Sequence, residues 1–254
     1  MPESCSNSLT DEKLLQYSRQ IMLPQIDVSG QQALLESRVL VLGAGGLGCP
    51  ALSYLVTAGI GEIIIVDPDE VDQSNMQRQI LYGVEDIGLN KARVAVSKLA
   101  QYGTQAKLCA LSKIPTDQEL LRLVEKVDIV LDGTDNFTAR YKHNQACVKA
   151  KTPLVSGAVI RFEGQLSVFD HKNADAPCYH CLYPNATDEQ LNCSENGVLG
   201  SVAGMVGTMM ATETLKLLLG IGETLAGKLM LIDALHMEWR TVRLNKDPAC
   251  PVCI

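Results

Sequence analysis

Gly43, Gly45, Gly46 and Gly48 form a G-x-G-x-x-G loop that follows an apolar run and opens a helical pattern. Glycines at that spacing permit a tight turn and let phosphate oxygens approach backbone N–H groups at the positive end of a helix. Asp67 closes the next apolar run, EIIIVD, where a carboxylate can accept hydrogen bonds from ribose hydroxyls. A tight strand-to-helix turn with no ligand is the plain alternative. Taken alone, the loop suits a nicotinamide-dependent oxidoreductase as well as an ATP enzyme. The segment Ser74-Asn75-Met76-Gln77-Arg78-Gln79, and then Lys91, shifts the balance. A nicotinamide enzyme needs no further cations just after the ribose-binding strand, whereas an enzyme that stabilises a triphosphate and a departing pyrophosphate does. Arg78 and Lys91 suit that role, although each could equally be a solvated cation on a helix surface. Asp132-Gly133-Thr134-Asp135-Asn136 ends another apolar run, at the edge where ligands bind in parallel sheets. Asp135 is a candidate Mg2+ ligand, because magnesium takes one or two carboxylates and fills its octahedron with water and phosphate oxygens. Capping the helix that begins near Phe137 is its competing role. Asp132 is a weaker candidate for the metal.

Cys178 and Cys181, with Cys250 and Cys253, make two C-x-x-C pairs. Four thiolates suffice for tetrahedral zinc, and a filled four-cysteine set leaves no open catalytic position. The pairs lie far apart, so a metal there would staple the C-terminal end of the sequence to the body. Redox-active or incidental pairs are the alternative. His180 stands between two cysteines but is more simply a bystander. Cys193 lies in a polar stretch, 185–197, without helical or strand periodicity, which reads as a loop. A covalent role for this thiol competes with inertness, since Glu189 and Glu195 disfavour its thiolate.

The elements that must position these groups are legible as alternating patterns. Apolar runs at 38–43, 62–67, 107–111, 127–131 and 153–156 read as strands, and those buried on both faces imply a parallel sheet. Helical patterns at 47–58, 90–101 and 137–150 fall between them, and residues 8–11 resemble a capped helix start. Later strands at 165–169 and 228–233 flank a long helix near 204–219. The expected fold is α/β, Rossmann-like and doubly wound, with a mostly parallel sheet, a C-terminal β-containing portion and a four-cysteine zinc staple. One domain of residues 1–254 is expected, with an N-terminal helical arm (8–36), a nucleotide-binding core (37–160) and a C-terminal, zinc-containing portion (161–254). A formal charge of −7 argues against nucleic acid or an anionic membrane as the main partner. The apolar stretch 198–211 is Gly-rich and short for a membrane span, and reads as a buried helix. An odd total of nine cysteines, with no apolar leader at the start, points to a reducing compartment, the cytoplasm.

With the glycine loop, Asn-Met-Gln-Arg-Gln, Asp-Gly-Thr-Asp-Asn and the paired cysteines in hand, the chain resembles the MoeB/ThiF/HesA family, bacterial relatives of ubiquitin-activating enzymes. The resemblance runs from about residue 14 to 253. It implies that Gly46 and its loop contact ATP and that Asp67 holds the ribose. Ser74, Asn75, Met76, Gln77 and Arg78 would line the nucleotide site, Asn75, Arg78 and Lys91 would meet phosphates, Asp135 would bind magnesium, and Asn136 would lie beside the nucleotide. Arg19 would be the arginine delivered across a homodimer into the partner's site. The implied activity is ATP-dependent adenylylation of the C-terminal glycine carboxylate of a ubiquitin-like sulfur-carrier protein, yielding an acyl-adenylate and pyrophosphate. A separate sulfurtransferase would then supply sulfur, because no rhodanese-like extension follows. The segment 157–165 looks like the molybdopterin branch, with a MoaD-like carrier. Tyr183-Pro184-Asn185 and Cys-Pro-Val-Cys lean toward the thiamine branch, with a ThiS-like carrier and a covalent link through Cys193.

Overall fold

Val39 and Val41 point to one side of their strand and Leu40 and Leu42 to the other, and all four are buried. A strand that buries both faces must lie inside a sheet covered by helices on both sides, and that is the architecture observed. A computed structural model describes residues 9–188 and 197–253. Its strands are β1 (Arg38–Leu42), β2 (Glu62–Val66), β3 (Lys107–Leu111), β4 (Ile129–Asp132), β5 (Leu154–Ile160), β6 (Glu163–Phe169), β7 (Lys228–Asp233) and β8 (Glu238–Arg243). They form one sheet in the order β3-β2-β1-β4-β5-β6-β7-β8. The first five are parallel, and β6 to β8 continue the sheet antiparallel.

The helices among the described residues are α1 (Asp11–Gln16), α2 (Ser18–Ile21), α3 (Asp27–Glu36), α4 (Gly48–Ala58), α5 (Lys91–Leu99), α6 (Asp117–Val124), α7 (Phe137–Ala150), α8 (Tyr179–Leu182) and α9 (Gly200–Leu219). Two apolar cores follow from the strand alternation. Val39, Val41, Ile63, Ile65, Ile129 and Leu131 pack with α4, α5 and α9 on one face. Leu40, Leu42, Val66 and Val130 pack with α6 and α7 on the other.

Several expectations are refined. Thr10 caps the first helix, its side chain accepting from the Lys13 N–H at 3.4 Å; the chain turns at Tyr17 and resumes as α2, while Ser8 lies outside the described residues. Strand β5 runs four residues beyond the expected end, pairing with β6 in a tight hairpin. Short α8 and edge strand β8 carried no clear periodic signal; β8 is almost wholly exposed on both faces. Helix α9 is long and apolar enough to cross a membrane by length and composition alone. In the fold, its Val202, Ala203, Val206, Met210 and Ala211 are buried in the first core, as expected of a core helix.

Candidate active site and four-cysteine cluster

Between β1 and β4 the strand order reverses, and this switch point opens a crevice at the carboxyl ends of the strands. The glycine loop leaves β1 there, and the 132–136 segment leaves β4 beside it. Gly43 has φ +91°, a left-handed conformation that glycine adopts without strain, and its Cα lies against the backbone of Gly133 and Thr134. A Cβ at position 48 would collide with the Gly43 carbonyl. Gly48→Ala is therefore expected to cost about 1–3 kcal/mol of stability, read from urea unfolding, and to weaken nucleotide binding in the same protein.

Asp67 is buried at the end of β2. Its Oδ2 accepts from the Ala44 N–H at 2.7 Å and its Oδ1 from the Asp69 N–H at 2.9 Å. Burial raises its pKa, against the opposing pull of those two N–H groups and of Lys91. One acceptor position on each oxygen stays open for hydroxyl donors. The Tyr82 hydroxyl donates to the Ala44 carbonyl at 2.6 Å and lies 3.4 Å from the Lys91 carbonyl, tying the glycine loop to the start of α5. Lys91 is itself buried, with its ammonium 3.1 Å from the exposed Asp69 carboxylate.

Arg78 rests its aliphatic stem against Gly46, and its guanidinium donates to Asn75 Oδ1 at 3.0 Å and to the Ser74 carbonyl at 3.3 Å. Gln79 also donates to Asn75 Oδ1, at 2.8 Å, from the Nε2 that lies beside Gly45, and its Oε1 is buried without a partner. A buried open valence of this kind calls for a ligand or water. Helix α9 closes the site from behind: Gly200 sits against Gln77 and Arg78, Ala203 against Gly46, and Gly207 against the Leu47 carbonyl. Of the remaining expected nucleotide-site residues, Ser74 is exposed and donates to Asp72, and Met76 is half-buried.

Asp135 is exposed at the mouth of the crevice, so its carboxylate is accessible to a metal ion. Asn136 takes the helix-capping role, accepting from the Ala139 N–H at 2.8 Å. Asp132 is not a metal candidate. It is fully buried, with Oδ2 2.8 Å from His143 Nδ1 and Oδ1 accepting from the Thr134 N–H and hydroxyl. Burial would raise its pKa, but His143, Arg140 and Thr134 outweigh that and hold it down to about 2, against an ordinary 3.8. A depressed carboxyl contributes stability that is complete above about pH 4 and lost as pH falls toward 2. Asp132→Asn is expected to lose about 2 kcal/mol at neutral pH and to lack the wild type's extra fall in stability between pH 4 and 2, measured by chemical unfolding across that window.

Arg19 is not brought to this crevice within one chain. Its neighbour Gln20 donates to the Ala58 carbonyl at 3.1 Å, which places α2 at the carboxyl end of α4 while the glycine loop opens the amino end. Eleven helical residues separate them, about 16 Å. Sequence reasoning also passed over a cavity of about 490 Å3 lined by Ala110 to Pro115 and by Glu119, Arg122, Leu123 and Lys126. It opens where β3 ends, and the Leu111 carbonyl there accepts from the Asp67 N–H at 3.1 Å.

The sulfurs of Cys178, Cys181, Cys250 and Cys253 all lie within 4.8 Å of one another. Separations of 3.9, 3.7 and 3.5 Å are far too long for disulfides. They match the spacing of about 3.8 Å between corners of a tetrahedron with Zn–S bonds of about 2.3 Å. Asn144 supports the fit: its Nδ2 is buried with no partner, and the side chain lies beside Cys178, where a thiolate would accept from it. The cluster is thus compatible with a structural zinc. His180 Nδ1 stands 3.8 Å from Cys250 Sγ, outside the four-sulfur set. Cys193 lies outside the described residues.

The ThiF family model matches residues 17–252. The chain belongs to the ThiF family. A sulfur carrier protein ThiS adenylyltransferase of Escherichia coli is 43% identical over 245 residues, covering 96% of this chain and 97% of that protein. A molybdopterin-synthase adenylyltransferase of the same organism is 40% identical over 245 residues, covering 96% and 98%. Among solved structures, Escherichia coli MccB with MccA-N7isoASN superposes with a TM-score of 0.82 at 23% identity, covering 94% of this chain and 75% of that one, which supports the fold alone.

Proposed function

We infer that this ThiF-family chain uses ATP to adenylylate the C-terminal glycine carboxylate of a ubiquitin-like sulfur-carrier protein, releasing pyrophosphate. The observation that carries this reading is the meeting of five groups at one switch point, in a chain over 40% identical to a named ThiS adenylyltransferase: the glycine loop, Asp67, Arg78, Lys91 and the Asp135 segment. Backbone N–H groups of the loop hold phosphates, Asp67 accepts from the ribose, and the cavity beside Leu111 takes the base. The attacking carboxylate is ionised at neutral pH, so no general base is required. Arg78 and Lys91 stabilise charge on the phosphates as pyrophosphate departs. To bind them, Lys91 must exchange its Asp69 partner for phosphate oxygens. Mg2+, held by Asp135, would neutralise phosphate charge when bound, and zinc would occupy the four-cysteine site.

The protein acts as a homodimer in which Arg19 enters the partner's site. Supporting this, Arg19 stands far from its own crevice, and Leu15, Met22, Leu23 and Val28 are exposed on the same N-terminal arm. Mixing Arg19→Ala and Asp135→Ala proteins tests it. Activity in trans should recover toward about a quarter of wild type, since random exchange makes half the dimers mixed and each mixed dimer carries one intact site; no recovery after subunit exchange would remove Arg19. The 161–254 portion receives the carrier. Phe162, Leu199, Leu231, Leu235, Met237 and Trp239 are exposed there and offer an apolar surface. A separate sulfurtransferase completes the transfer, and free cysteines suit work in the reducing cytoplasm.

The carrier is proposed to be of the molybdopterin branch, from the character of residues 157–165. The thiamine branch is the second reading, favoured by Tyr183-Pro184-Asn185 and by the 43% identical ThiS relative. Exchange of labelled pyrophosphate into ATP, run with both carriers side by side, decides between them. Absence of exchange with either would overturn the activity.

A further inference from the structure

Arg140 is fully buried in the second turn of α7, yet no part of the proposed chemistry uses it. Its guanidinium joins three separate pieces of the fold. Nε donates to the Thr134 carbonyl at 3.1 Å and Nη2 donates to the same oxygen. Nη2 also donates to the Gly157 carbonyl of β5 at 3.0 Å, and Nη1 to the Tyr179 hydroxyl at 3.4 Å. Thr134 immediately precedes Asp135, and its N–H and hydroxyl are already taken by Asp132. Tyr179 sits between Cys178 and Cys181, and its N–H donates to Asn144 Oδ1 at 2.9 Å. Arg140 and Asn144 are four residues apart, so one face of α7 grips both the backbone ahead of Asp135 and the helix of the first cysteine pair.

Burying a guanidinium is costly unless its N–H groups are satisfied in fixed geometry. A core position with only a packing duty would be filled more cheaply by an apolar side chain. A planar fork that takes one carbonyl twice instead fixes the direction of that peptide. Asp135, exposed and with no such anchor of its own, inherits its placement from that peptide.

We propose that Arg140 is a positioning residue whose guanidinium locks the Thr134 carbonyl against β5 and Tyr179, and thereby sets Asp135 for the metal–nucleotide complex. This rests on the proposed role of Asp135. Arg140→Met is expected to raise the Mg2+ concentration for half-maximal pyrophosphate exchange about tenfold, the equivalent of one lost charge-assisted hydrogen bond. Arg140→Lys, which can still reach one carbonyl, should recover part of that loss, and KM for the carrier should stay unchanged. In a second arm, equilibrium ATP binding is measured with and without Mg2+, together with zinc content. Binding of Mg2+-ATP should weaken while metal-free ATP binding and bound zinc hold. If Arg140→Met fails to fold, Arg140→Lys and Tyr179→Phe carry the test with smaller shifts of the same sign. Unshifted Mg2+ dependence in both of those variants, whatever their stability, would overturn the proposal. If wild-type protein gives no exchange with either carrier, the proposed activity fails, and the ATP-binding arm still decides on Arg140.

Discussion

Asp135→Ala is expected to lower carrier-dependent pyrophosphate exchange by about a hundred- to a thousandfold, the range seen when one preorganised charge-stabilising group is removed. The side chain is exposed at the end of β4 and makes none of the hydrogen bonds that fix Asp132 or Asn136. Its removal should therefore leave the free energy of unfolding in urea within about 0.5 kcal/mol of wild type. Loss of rate without loss of fold separates this carboxylate from Asp132, whose substitution should cost stability. Activity in Asp135→Ala within a few-fold of wild type would take this carboxylate out of the reaction. Asp135→Asn gives a sharper comparison. It keeps size and one oxygen but not the charge, so a nearly equal loss would identify charge, and with it the metal, as the contribution that matters.

Removing metal from the four-cysteine cluster is expected to produce the largest loss of stability. Tying Cys181 to Cys250 closes a loop of about 70 residues, and a crosslink over a loop of that length is worth about 4 kcal/mol by chain entropy. Without metal, burial pushes the Cys178 thiol up, and four reduced sulfurs within 4.8 Å have no attraction of their own to hold the second pair in place. One tightly held zinc per chain should be found by elemental analysis. Chelation should lower the unfolding midpoint markedly and expose the 244–253 segment to protease near Lys246. Metal-free protein with an unchanged midpoint and four titratable thiols would exclude a structural metal. Because Tyr179 lies between two of the ligands and touches Arg140, chelation is also expected to weaken Mg2+-ATP binding, by less than Arg140→Met does.

The separation of these two effects follows from where each group sits. Asp135 is on a loop at the open edge of the sheet, where function can be lost without cost to the core. The cysteine cluster joins α8 to the chain beyond β8, a region whose edge strand is exposed on both faces and contributes little burial of its own.

What the sequence determined by itself was everything carried by short-range pattern. Doubly apolar runs ending in glycine or aspartate placed β1, β2 and β4 and the parallel sheet, because burial on both faces is written directly into consecutive residues. The spacing of Gly43 to Gly48 and of the two C-x-x-C pairs carried the phosphate loop and the four-sulfur set, since each motif is a local solution to a geometric demand. Tertiary structure alone decided the rest. It divided the 132–136 segment into a buried anchor, an exposed carboxylate and a helix cap, three residues that look interchangeable in sequence. It set Arg19 at the far end of α4, because helix length converts a short separation in the fold's plan into a distance no side chain spans. It also brought α9 behind the glycine loop and Arg140 under Thr134, contacts between residues far apart in sequence or between a side chain and a backbone carbonyl, which no periodicity records.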